Sequence, residues 1–94
     1  MVNECLHIIL SICCEVFEIS IENIKSNKSI RNIIRARKAY SVIAKKKYDL
    51  SLNEIGNFIG KDKCQIHNYI ENQPTDNFYK LCLKKSYEKV TEKL

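Results

Sequence analysis

The chain has 94 residues, enough for one domain that removes roughly two-thirds of its unfolded surface from water. Apolar residues make up 45 % of it, with two Gly and one Pro, which excludes a disordered or loop-dominated protein. The net charge of +5 is unevenly spread: residues 26 to 47 hold Lys28, Arg31, Arg35, Arg37, Lys38, Lys45, Lys46 and Lys47 and no acid. Such a block suits a polyanionic partner, most often nucleic acid, although charge alone also describes a solvated helix face.

Helix is the periodic signal throughout. The first helix is predicted over about residues 3–18, with Leu6, Ile9, Cys13, Val16 and Phe17 on one face. Ile8 and Ile12 widen that stripe. The apolar run Leu6 to Cys14 is too short to span a bilayer and has no signal-peptide flanks, so a cytoplasmic, nucleoid-associated protein without a membrane role is expected. Its surplus apolar surface predicts contact with a second copy or a protein partner. Ser20 opens a short turn of helix in the "SIENIKS" segment.

A long helix follows over about residues 29–47. Ile33, Ala36, Tyr40, Ile43 and Ala44 form its core stripe, while Arg31, Arg35, Lys38 and Lys45 recur along another face. With Lys28 and Arg37, these residues are the expected phosphate contacts, about four to six of them engaged at once.

The segment "SLNEIGNFIGKDKCQIHNYI", Ser51 to Ile70, carries the strongest pattern. Ser51 and Glu54 have capping-box spacing at a helix start. Ile55 and Ile59 are apolar anchors, and Gly56 leaves room for a crossing helix. Gly60 makes the turn. Lys61 and Asp62 begin a second helix, anchored by Ile66 and Ile70 and running to about Asn72. This is the outline of a helix-turn-helix. Lys61, Asp62, Lys63, Cys64, Gln65 and Asn68 are the expected base-reading residues, because charged and amide groups match the major-groove edges of bases. Asp62 has a second reading as a helix cap. The plainer reading of the whole segment is a packing corner.

A last helix is expected over residues 76–93, capped by Thr75, with Phe78, Leu81, Cys82, Tyr87, Val90 and Leu94 on its apolar side. The fold class is all-α: a bundle of about five to six helices, one domain over residues 1–94. Five cysteines have no zinc spacing and read as buried, reduced thiols. His7 and His67 read as packed or hydrogen-bonded, and the five tyrosines as core rims. No nucleophile and base are spaced for catalysis, so an enzyme is not expected, and no cofactor or metal is implied.

These residues resemble the C-terminal DNA-binding domain of the bacterial replication initiator DnaA, a Trp-repressor-like helix-turn-helix. That family carries Ser-Leu-x-Glu-Ile-Gly followed by Gly-Arg-Asp-His-Thr-Thr-Val. The matching blocks here are Ser51 to Gly56 and Gly60 to Ile66. Upstream, Arg31 and the Arg35-Ala36-Arg37 stretch resemble the family's long basic helix. The resemblance implies double-stranded DNA as partner and a role in replication initiation or transcription. Lys63, Cys64 and Gln65 replace the family's His and two Thr, which implies a different preferred site. The family's minor-groove arginine falls near Ser29, with Lys28 the nearest cation. No GxxxxGK[ST] phosphate loop occurs, so the expectation is a free-standing module of a bacterium, phage or mobile element. The alternative is a protein-interaction or structural module that keeps the fold without reading bases.

Overall fold

The computed structural model describes residues 2–94, and among them every regular element is an α-helix. In chain order they are α1 (Val2–Phe17), α2 (Ile21–Lys25), α3 (Arg31–Lys46), α4 (Leu52–Ile59), α5 (Lys63–Glu71) and α6 (Asn77–Lys93). The all-α bundle predicted from the periodicity is thus present, with six helices. α3 is the central element, touching α1, α2, α4, α5 and α6.

Local chemistry sets the boundaries. α1 ends where Glu18 turns left-handed (φ 57°), and the Ile19 amide then donates back to the Cys14 carbonyl at 2.9 Å. The Ser20 hydroxyl caps α2 by accepting from the Asn23 amide. Ser51 and Glu54 form the complete capping box of α4. α6 is capped by Asp76, whose carboxylate accepts from the Tyr79 amide at 3.0 Å, and not by Thr75 as the sequence suggested.

The core stripe of α3 is as predicted, with Ile33, Ala36, Tyr40, Ile43 and Ala44 all buried. From α1, Leu6, Ile9, Leu10, Ile12, Cys13 and Phe17 fill the same interior. The apolar run of α1 is therefore largely absorbed within the chain; Ile12 is in the core and Ile8 half-buried. Burial pushes the Cys13 thiol up to about 12 and the Cys14 thiol to about 11, so both stay protonated near neutral pH. Cys64 is exposed and Cys5 half-buried, against the buried-thiol reading.

Two expectations need correction. Tyr79 is not a rim residue but, like Tyr40 of the core stripe, lies fully inside; the Tyr40 hydroxyl donates to the Ile55 carbonyl at 2.8 Å and the Tyr79 hydroxyl to the Gln73 side-chain oxygen. The buried side of α6 is Tyr79, Cys82, Ser86 and Val90, whereas Phe78 is 53 % and Leu81 60 % exposed, and Tyr87 and Leu94 are also exposed. Cys82 and Val90 are buried as predicted, but Tyr79 and the small Ser86 take the places between and beside them that apolarity alone gave to Phe78, Leu81 and Tyr87.

The helix-turn-helix corner depends on its two glycines. Gly60 sits at φ 72°, and the Lys61 amide reaches back to the Gly56 carbonyl at 2.9 Å. At Gly56 an added Cβ would lie 2.4 Å from the Lys61 carbonyl oxygen and 3.2 Å from Ile66 Cγ1. The first of these neighbours is backbone and cannot rotate away. Gly56→Ala is therefore expected to cost about 2–3 kcal/mol of stability through forced separation of α4 and α5. A urea midpoint unchanged from that of the unaltered protein would refute this.

Candidate nucleic-acid interface

α5 packs through Ile66 and Ile70 against the core, which turns its first two turns outward. Lys63, Cys64, Gln65, His67 and Asn68 are all exposed there. His67, read from the sequence as packed or hydrogen-bonded, stands one residue before Asn68 and one turn after Lys63, and joins the exposed set. Its signal was available in the sequence, since the positions of Ile66 and Ile70 leave residue 67 well off the buried axis.

The start of α5 is fixed by a capping box. Asp62 carboxylate oxygen accepts from the Gln65 amide at 2.8 Å, and the Gln65 side-chain oxygen accepts from the Asp62 amide at 3.3 Å. The capping role predicted for Asp62 is thus formed, through one of its two carboxylate oxygens. Gln65 keeps its amide nitrogen as the group free to reach outward.

Two of the predicted DNA-contacting cations turn inward. Arg37 is 2 % exposed, and its guanidinium donates to the carbonyls of Ile24 at 2.9 Å, Asn23 at 3.2 Å and Ser26 at 2.6 Å. It closes the carboxyl end of α2, where a short helix leaves carbonyls without amide partners and a cation is favoured. Lys61 is 9 % exposed, and its ammonium donates to the Ser26 carbonyl at 2.7 Å. Burial, with the Arg37 charge beside it, lowers the Lys61 pKa from its ordinary value. Neither side chain is presented to a ligand, so the assignment of Arg37 to phosphate and of Lys61 to bases is corrected. One residue off the exposed stripe is enough to direct a long cation into the loop between α2 and α3.

Four of the remaining cations sit at the two ends of α5. Arg31, Arg35 and Lys38 line an open groove with Ile34 and with Pro74, Thr75 and Asp76, the segment that follows α5. Arg31 is exposed and Lys38 half-buried. Arg35 is engaged within the protein, with Nη2 2.7 Å from Asp76 Oδ1 and its guanidinium 5.9 Å from the centre of the Phe78 ring. The Tyr79 amide, and after it the Arg35 charge, hold the Asp76 carboxyl below the usual carboxylate range. At the other end, the loop bearing exposed Lys28 is joined to the start of α5 by the Lys61–Ser26 contact. Lys45 stands two turns beyond Lys38 and faces Asp49 at 3.5 Å, apart from this grouping.

The match of residues 6–72 to the family described as the bacterial dnaA protein helix-turn-helix covers most of the chain. The chain belongs to this family. It is also 42 % identical over 62 residues to the chromosomal replication initiator protein DnaA of Thermodesulfovibrio yellowstonii. That similarity spans 65 % of this chain and 14 % of the relative. No solved structure matches it. The matched region takes in α2 to α5 and most of α1. α6 lies beyond it. Among the described residues no group of three or more His, Cys, Asp or Glu could hold a metal ion, and no helix is long and apolar enough to cross a membrane.

Proposed function

We propose that this domain binds double-stranded DNA with sequence preference and acts in replication initiation or in transcription control. The observation that carries the reading is the exposed first half of α5, flanked at both ends by cations on one packed frame. α5 enters the major groove by its amino-terminal turns, where Lys63, Gln65 and Asn68 meet base edges. Arg31 and Lys38 on one side and Lys28 on the other meet phosphates, which position the helix without choosing sequence. Glu71 shares the exposed face near the far end of α5, which favours contact by the first turns over the last.

Selection of duplexes from a random pool by the purified protein tests this directly. An enriched site is the expected result, different from the box its family reads because Lys63, Cys64 and Gln65 replace His and Thr. On that site Lys63→Ala should cost about 1–3 kcal/mol, and on random DNA much less. Asn68→Ala should behave alike, since an Asn amide can pair with adenine N6 and N7. Gln65→Ala should cost less, its oxygen being already engaged in the cap. Equal losses on selected and random duplexes would show that α5 does not read bases.

The exposed Phe78 and Leu81 on α6 favour a second reading, a surface for protein contact. Absence of duplex binding at low salt would leave that reading standing alone.

A further inference from the structure

We propose that Lys61 is a positioning residue that locks the loop carrying Lys28 in register with the start of α5. This rests on the duplex-binding reading, and extends it to how two separate DNA-facing parts are held at a set spacing.

The connection is continuous through named atoms. The Lys61 ammonium donates to the Ser26 carbonyl at 2.7 Å, bridging residues 35 positions apart. The Ser26 hydroxyl in turn accepts from the Lys28 amide at 3.2 Å and donates to the Asn23 carbonyl at 2.7 Å. On the other side, the Lys61 backbone is fixed to α4 by the hydrogen bond its N–H donates to the Gly56 carbonyl. The residue after it, Asp62, is the cap of α5. One lysine thus ties the α4–α5 turn to the backbone that presents Lys28. Arg37 holds the same Ser26 carbonyl from α3 at 2.6 Å.

Two cations converging on one carbonyl repel each other, and the carbonyls at the end of α2 supply the negative ends that offset this. An ammonium buried in that place for packing alone would be a poor choice, since an apolar side chain would avoid both desolvation and repulsion. What the ammonium adds is a directed bond between two segments far apart in sequence. A loop held this way meets the duplex without being ordered first, and so saves the entropy of fixing Lys28 on binding.

The test is a double-mutant cycle on the selected duplex, with Lys61→Met, Lys28→Ala and both together. Lys61→Met and Lys28→Ala should each weaken binding about tenfold, and the pair should be no weaker than Lys28→Ala alone by more than about twofold. Lys61→Arg, which retains a cationic donor, should restore binding to within about threefold of the unaltered protein. In the free protein, exchange of the Lys28 amide should accelerate in Lys61→Met and return towards normal in Lys61→Arg. If Lys61→Met fails to fold, Lys61→Gln takes its place in the cycle. Multiplicative losses would mean that Lys61 meets DNA itself, and unchanged Lys28 exchange would mean that it does not hold the loop; either overturns the proposal while leaving duplex binding intact. Failure of the unaltered protein to bind any duplex overturns the DNA reading, and the proposal with it.

Discussion

Arg37→Met is expected to lower the unfolding free energy by about 3 kcal/mol, among the largest losses for any charged residue of this domain. The side chain lies within the fold and donates three charge-assisted bonds to the carbonyls of Asn23, Ile24 and Ser26. On its removal the three acceptors fare differently. Ser26 keeps the Lys61 ammonium, and Asn23 keeps the amide and hydroxyl of Ser26. The Ile24 carbonyl keeps no partner of this kind, and orphaning one such acceptor costs about 1–3 kcal/mol. Loss of the two other bonds adds to this, and relief of the buried guanidinium's desolvation subtracts. Arg37→Lys should recover less than half of the loss, because a single ammonium cannot match three carbonyls spread around a planar fork. Lys45→Met, at the surface, should stay within about 0.5 kcal/mol. Urea unfolding with unchanged slope reads the difference. A destabilisation by Arg37→Met as small as that of Lys45→Met would refute the capping role.

Duplex binding is expected to weaken roughly 40-fold between about 50 and 200 mM salt, from about three phosphate contacts and a log–log slope of about −2.7. The cation-rich sequence between residues 26 and 47 suggested a steeper dependence. Two structural facts lower it: Arg37 is committed to α2, and Arg35 is already paired with Asp76. Lys28, Arg31 and Lys38 remain available for phosphates. Replacing Arg31 and Lys38 together by Ala should weaken binding to all sequences and make the slope shallower by about 1.8. Arg37→Met, once corrected for any unfolded fraction, should leave the slope unchanged. A slope near zero, or one that falls with Arg37→Met as with Arg31→Ala, would contradict this division of the cations.

The bundle and its corner were legible in the sequence because their determinants are local and periodic. Ser51 with Glu54 starts α4, Gly60 ends it, and Ile55, Ile59, Ile66 and Ile70 recur at helical spacing, so each feature depends on residues within a turn or two of one another. The exposed half of α5 follows from the same spacing. What the tertiary structure decided is where the long polar side chains go. Lys61 and Arg37 read as surface cations, yet both turn to the Ser26 carbonyl, a backbone group with no sequence signature. Arg35 pairs with Asp76, and Asp62 and Gln65 cap each other. On α6 the buried side passes through Ser86 and leaves Phe78 and Leu81 outside. A backbone acceptor, or a neighbour brought in from a distant part of the chain, determines the destination of a flexible charged side chain, and pattern within one helix carries no information about either.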